Sequence, residues 1–156
     1  MDSPFQIVPP EMQDAVQISG LSLQLGYPAT IEHVRERLQR LLSSPNYFVA
    51  VAVAGDREVL GWVAAERRLS LESGEKAELT GLVVATAARR TGVGQALVHA
   101  AEHWAREAGF ASLHVRSNVA REESHPFYRK IGFRFKKTQH TYEKVISPAE
   151  VTFAPS

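Results

Sequence analysis

The sequence predicts an α+β fold, and three stretches predict it. Tyr47 to Ala54, YFVAVAVA, is a continuous apolar run rich in the residues that favour strands. Ile31, Val34, Leu38, Leu41 and Leu42 recur at the 3.6-residue spacing of an amphipathic helix. Glu78 to Glu107 joins a strand-like run, through a glycine-bearing turn, to a second long amphipathic helix.

The elements follow in order. Phe5 to Val8 reads as a short strand, and Pro9-Pro10 stops its pairing while presetting the entry to a helix. Met12, Val16, Ile18, Leu21, Leu23 and Leu25 supply that helix with apolar residues, against the influence of Gly20 and the neighbouring serines. Gly26-Tyr27-Pro28 marks a loop, after which Thr30 caps the second helix, whose polar face carries Glu32, Arg35, Glu36 and Arg40. Ser43-Ser44-Pro45-Asn46 ends it. Beyond the Tyr47 to Ala54 strand, Gly55-Asp56 turns the chain and Val59 to Leu69 pairs back as a hairpin partner. Leu71 to Lys76 reads as a polar connection and Glu78 to Val84 as a third central strand. In the helix after the glycine turn, Val93, Leu97, Ala100, Ala101, Trp104 and Ala108 share one stripe opposite Gln95, His99, Glu102 and Arg106, and Gly109 stops it. Ala111 to Val115 is a short strand, Arg121 to Ile131 a helix carrying Tyr128 and ending at Gly132, and Phe133 to Val145 a last strand. Residues 1–146 therefore read as one domain and 147–156 as a surface tail.

Bulk properties narrow the function. A chain of 156 residues with 44% apolar and 22% charged residues can bury a real core. A formal charge of +1 argues against nucleic acid as a generic electrostatic partner. Without cysteine there is neither a disulfide framework nor a thiol nucleophile. The start MDSPFQIVPPE lacks the basic and apolar runs of a signal peptide, and no stretch reaches the roughly 18 apolar residues of a membrane span. The simplest expectation is a soluble, cytoplasmic protein with no membrane partner.

The chemistry concentrates at Arg89-Arg90-Thr91-Gly92-Val93-Gly94. Two glycines let the backbone approach a ligand, and the first turn of a helix leaves about four N–H groups without intrahelical partners. Those donors and the positive end of the helix dipole suit a phosphate or pyrophosphate, and Arg89 and Arg90 add charge there. Neither the P-loop pattern nor the dinucleotide pattern of glycines is present.

Arg89-x-x-Gly92-x-Gly94 resembles the Q/R-x-x-G-x-G/A motif of the GCN5-related N-acetyltransferase (GNAT) family, and Phe127-Tyr128-Arg129-Lys130-Ile131-Gly132-Phe133 resembles its F-Y-x-x-x-G-F signature. The match covers about Tyr47 to Tyr142, and the first 45 residues fit loosely. The resemblance implies one mixed sheet with helices on both faces, in the order β-α-α-β-β-β-α-β-α-β. In family members the strand before the glycine turn is bulged and splays from its parallel neighbour to admit the cofactor; Thr80-Gly81 is the candidate site for that bulge.

What the resemblance implies for function is acetyl transfer from acetyl-CoA to a primary amine, by direct attack in a ternary complex and without a metal. The pyrophosphate is expected on backbone N–H groups of Arg90, Thr91, Gly92, Val93, Gly94 and Gln95, with Arg89 alongside. The pantetheine is expected along Leu82, Val83 and Val84, with a backbone N–H near Val84 supporting the thioester oxygen. Tyr128 is the candidate acid for the departing thiolate; a phenol at about pKa 10 can hydrogen-bond a thiolate whose acid titrates near about 8.5. Glu78, opening the strand that leads to the thioester, is the candidate base, with Glu66 and Glu72 as rivals. Many members carry Asn and Ala where this chain has Arg121 and Ser124; the run Arg121-x-x-Ser124-His125-x-Phe127-Tyr128 resembles a variant found in members that acetylate small molecules. Arg121 is thus a candidate cofactor contact, and Asn118 a candidate for the amide contact. His99 and His103 have a permissible metal spacing but fall on the polar face and read as exposed. The expected acceptor is a small amine, held by the first two helices and Gly26-Tyr27-Pro28, and the expected assembly is a homodimer. The alternatives are a protein lysine or N-terminal acetyltransferase and a non-catalytic acyl-CoA-binding module.

Overall fold

Val49 and Val51 point to one side of strand β2 (Tyr47–Ala54), Ala50 and Ala52 to the other, and all are buried, so both faces of this strand are covered. In the computed structural model, which describes residues 4–116 and 124–147, the chain divides into two compact units, Met1–Arg116 and Ser117–Ser156. The first holds a five-stranded sheet in the order β1 (Gln6–Val8), β2, β3 (Glu58–Ser70), β4 (Gly74–Val84) and β5 (Leu113–Val115). The first four pair antiparallel and β5 is parallel to β4, so the sheet is mixed.

Helices α1 (Ala15–Gln24) and α2 (Ile31–Leu42) cover one face. Ile18, Leu21 and Val34 pack there with Val51, Val59 and Val83, and Leu38 packs with Val49 and Ala64. Helix α3 (Val93–Glu107) covers the other face, with Leu97, Val98 and Ala101 fully buried and Trp104 stacked on Phe48 at 5.8 Å. The fold is therefore α+β with helices on both faces, as the sequence predicts.

Local chemistry explains the helix ends. Thr30 caps α2, its hydroxyl accepting from His33 N at 3.1 Å. The first helix is preceded by a 3₁₀ turn over Met12–Asp14, and the serines that oppose a helix find partners instead: Ser22 donates to Ile18 O and Ser19 to Ala29 O. Gly109, at φ 93°, ends α3 with paired bonds, Phe110 N to Ala105 O and Gly109 N to Arg106 O.

Two expectations are corrected. Leu71 to Lys76 is not a connection: Arg68 faces Lys76 and Ser70 faces Gly74, leaving a three-residue turn, Leu71-Glu72-Ser73. Gly74 at φ 72° permits that tight return, and Arg67 pairs with Glu75 across it at 3.2 Å. Residues 133–145 form no strand among the described residues. Their apolar alternation holds only at Phe133 and Phe135 and breaks at Lys137, so no buried stripe fixes a register.

In the second unit, α4 (Ser124–Lys130) closes at Gly132, φ 104°, and the expected start of this helix at Arg121 lies outside the described residues. Phe133 N bonds to Tyr128 O at 2.9 Å and Gly132 N to Arg129 O at 3.2 Å, the same ending as α3.

Candidate active site

The pairing of the sheet changes at one place. Ala64 faces Gly81, but Ala65 faces Leu79, so Thr80 is left over as a bulge on β4, where Thr80-Gly81 was the expected site. On the other edge of β4 the parallel ladder runs Ala77 to Leu113, Glu78 to His114 and Leu79 to Val115, and among the described residues it stops there. The bulge begins at the residue where the ladder ends. An extra residue bends its strand and increases its local twist, and here that residue follows the last rung of the parallel ladder. The edge of residues 81–84 toward β5 is left with backbone donors and acceptors that no described strand takes.

Two glycines fit β4 to its neighbours. A Cβ on Gly81 would lie 2.6 Å from the Trp62 ring, and one on Gly61 would lie 2.6 Å from Val83 O. Leu82 and Val84 are half-buried and Val83 is buried under the first helix pair.

Beyond β4, Ala85 N bonds to Leu60 O at 2.8 Å, a 3₁₀ turn spans Thr86–Ala88, and the Thr91 hydroxyl donates to Ala88 O. Arg90 at φ 65° and Gly92 at φ 90° turn the chain into α3. The first rung of that helix is Ala96 N to Gly92 O at 3.0 Å, so the N–H groups of Val93, Gly94 and Gln95 have no rung of their own. Arg89, Arg90, Thr91, Gly92 and Gln95 are exposed, Gly94 is half-buried, and Val93 is buried against the sheet. The predicted anion site is thus a helix N-terminus flanked by two arginines, at the end of the strand with the open edge. A cleft of about 440 Å³ adjoins that strand end, between Gln17, Leu21 and Gln24 of α1, Glu58 and Val59 of β3, and Ala85, Thr86 and Ala87.

Glu78 is a buried carboxylate, its side chain 12% exposed. Arg68 Nη1 reaches its Oε2 and Arg116 Nε its Oε1, both at 3.1 Å. The rivals separate: Glu66 faces Glu78 across β3 and β4, while Glu72 sits exposed in the distal turn. Arg68 and Arg116 escaped the sequence reading; the readable signal was that Glu66 and Arg68 share a strand face, and the hairpin register needed to use it came from an unrecognised tight turn.

Tyr128 is half-buried and meets Phe127 and Phe133 edge-on, at 5.3 and 5.6 Å between ring centroids. Asn118 and Arg121 lie outside the described residues. His99 and His103 are exposed, and His103 approaches Glu107 at 4.0 Å.

The Thr80 bulge, the end of the parallel ladder and the glycine-capped N-terminus of α3 thus lie on one continuous stretch of chain. The chain matches the acetyltransferase (GNAT) family over residues 15–133 and belongs to it; it is an N-acetyltransferase. It is 37% identical over 134 residues to an aminoglycoside N(6')-acetyltransferase type 1 of Klebsiella aerogenes, spanning 80% of this chain and 88% of the relative. It is 30% identical over 104 residues to an N-acetyltransferase of Bacillus subtilis, spanning 66% of this chain and 72% of the relative. Among solved structures, an aminoglycoside N-acetyltransferase in complex with CoA superposes with a TM-score of 0.80 at 21% identity, over 92% of this chain and 97% of that one. An aminoglycoside 6'-N-acetyltransferase of Acinetobacter baumannii superposes with a TM-score of 0.79 at 19% identity, over 92% and 99%. At those identities the structural likeness speaks for the fold.

Proposed function

We propose that the protein transfers an acetyl group from acetyl-CoA to a primary amine of a small molecule, in a ternary complex and without a covalent enzyme intermediate. The observation that carries this reading is the coincidence of the Thr80 bulge with the end of the β4–β5 ladder, in a strand that leads directly to the Gly92 cap. That arrangement offers acetyl-CoA two things. The α3 N-terminus and Arg89 and Arg90 suit its pyrophosphate, and the open edge of residues 82–84 suits its amide-bearing arm as an added strand.

In the reaction the amine nitrogen bonds to the acetyl carbon and the carbon–sulfur bond breaks. The ammonium must lose one proton before attack and the nitrogen a second once it is bonded to the carbon; the thiolate gains one, and the other is released to solvent. Glu78 is the proposed proton acceptor. Tyr128 is the proposed donor to the sulfur. A backbone N–H of β4 near Val84 supports the oxygen as charge develops on it; one such donor is worth about 2.7–4 kcal/mol in acyl-transfer sites. Relatives named for aminoglycosides support a small-molecule acceptor over a protein one. A cytoplasmic homodimer is the proposed setting, on the family resemblance.

The test is thiol release from acetyl-CoA against small amines, aminoglycosides and lysine peptides. Release driven by a small amine, and reduced at least a hundredfold in Tyr128→Phe, is the expected result. Tight binding of acetyl-CoA with no acceptor accelerating release would instead favour an acyl-CoA-binding module.

A further inference from the structure

We infer that the acceptor amine also carries an anionic group, a carboxylate or a phosphate-type oxyanion, which Arg68 and Arg116 receive. The inference rests on the acetyltransferase reading and names the class of its acceptor.

The register places the relevant groups. Glu66, Glu78 and His114 face one another across β3, β4 and β5, and Arg68 faces Lys76 one pair of residues further along. Partners in register share a face of the sheet. Glu66 and Arg68 follow Trp62 at even spacing on β3, so this is the face on which Trp62 packs with the first helix pair. Arg116, the first residue beyond β5, is brought to the same face by its bond to Glu78. Among the described residues in this register the cations are Arg68, Lys76 and Arg116 and the anions Glu66 and Glu78, an excess of one positive charge.

The geometry makes this excess usable. Glu78 Oε2 accepts a hydrogen bond from Arg68 Nη1 and Oε1 forms an ion pair with Arg116 Nε, so the two arginines converge on a single buried carboxylate and stand close to each other. A guanidinium has five donors, and the hydrogen bond to Glu78 occupies one of those on Arg68. Their side chains are 46% and 62% exposed, whereas that of Glu78 is 12% exposed. Two cations sharing one buried counter-ion, with donors turned to solvent, suit a planar or tetrahedral oxyanion. They also stand at the foot of the gap, because Glu78 precedes the last rung, Leu79–Val115, by one residue. An acceptor whose amine reaches the thioester beside the bulge therefore passes the arginines. A polycation with no anionic group would meet like charge there.

The test compares matched acceptors in thiol release from acetyl-CoA. Primary amines bearing a carboxylate, a phosphonate or a phosphate are set against the same skeletons ending in an amide or alcohol, and against a polycationic aminoglycoside. Wild-type protein is expected to favour the anionic member of a pair by about tenfold or more in kcat/KM, and the carboxylate and phosphorus arms identify the oxyanion. Arg116→Gln and Arg68→Gln are each expected to raise KM for the anionic acceptor and collapse the ratio toward unity. Equal or better turnover of the neutral or polycationic acceptors by the wild type overturns the inference without involving any variant, and so does an unchanged ratio in both folded variants. If the wild type releases thiol with no amine of any kind, the transferase reading fails and this inference fails with it.

Discussion

The ring of Trp62 occupies the space that a side chain on Gly81 would need: a Cβ there would stand 2.6 and 2.7 Å from two of its ring carbons. Trp62 lies on β3 and Gly81 beside the bulge on β4, so the indole is seated on a bare backbone next to the end of the β4–β5 ladder. Gly81→Ala is expected to destabilise the protein by about 1–3 kcal/mol, the range for overpacking a filled site, and to weaken acetyl-CoA binding by shifting the open edge. Urea unfolding and titration with CoA measure the two effects. Combining Gly81→Ala with Trp62→Leu should recover part of the loss, giving a coupling of about 0.5–3 kcal/mol in a double-mutant cycle; additive losses would show that the ring does not hold the strand.

The turn into α3 separates charge from conformation. Arg90 holds φ 65° and Gly92 φ 90°, both in the left-handed region. An L residue with a side chain is disfavoured there by about 1–2 kcal/mol. Arg90→Gly relieves that strain but adds about 0.5–1 kcal/mol of backbone entropy to the unfolded chain, so stability should stay within about 1 kcal/mol while affinity for acetyl-CoA falls with the lost charge. Gly92→Ala should lower both, since it strains the cap that aims the free N–H groups. If Arg90→Gly bound acetyl-CoA as tightly as the wild type at low salt, the arginine would have no part in holding phosphate.

Tyr128 tests the chemistry separately from the fold. Phenylalanine keeps the edge-on contacts with Phe127 and Phe133, so Tyr128→Phe should melt close to the wild type. Loss of a general acid typically costs about 10²-fold to 10⁴-fold in rate. The expected signature is a fall in kcat with KM for acetyl-CoA nearly unchanged, and a rate within a factor of about two of the wild type would remove the tyrosine from the mechanism.

The parts of this molecule legible in its sequence are those decided by local physics. A 3.6-residue apolar repeat behind Thr30, a continuous apolar run at Tyr47 to Ala54 and the Gly109 that stops the stripe of α3 specify elements without reference to partners. The bulge was implied by the family resemblance, and Thr80-Gly81 was a plausible place for it because glycine inside a strand marks an irregularity. The sharp return at Gly74 was not, because Leu71, Glu72 and Ser73 look like an ordinary polar connection until their neighbours pair. The arginine clamp on Glu78 lies one step further away. Arg68 and Arg116 are separated from it by ten and 38 positions and meet it only through the register of three strands. Residues 133–145 mislead in the opposite sense, since two phenylalanines start an alternation that the lysines do not continue.

The contact that ties the first helix to the β2–β3 turn gives a prediction about stability rather than catalysis. Asp14 is 1% exposed and accepts from Glu11 N at 2.7 Å and from Arg57 Nε and Nη2 at 3.0 and 2.9 Å. The hydrogen bonds that Arg57 donates to Asp14, and then the charge of Asp14, raise the Arg57 guanidinium above its ordinary value despite the opposing effect of desolvation. Arg57 also donates to Pro9 O at 3.1 Å and lies 3.3 Å from Glu11, which is exposed. The asymmetry of the pair sets an order of damage. Arg57→Met leaves a buried carboxylate without its counter-charge, the costly way to break such a pair, and keeps a side chain at φ 67°. Asp14→Asn retains one acceptor for Glu11 N or the guanidinium, and Glu11→Gln alters only a solvated contact. Thermal unfolding should therefore rank the Tm values as Arg57→Met lowest, Asp14→Asn next and Glu11→Gln near the wild type, with acetyl-CoA affinity little changed in all three. A Tm for Arg57→Met at or above that of Asp14→Asn would mean that Asp14 needs no counter-charge and that the arginine only closes the turn.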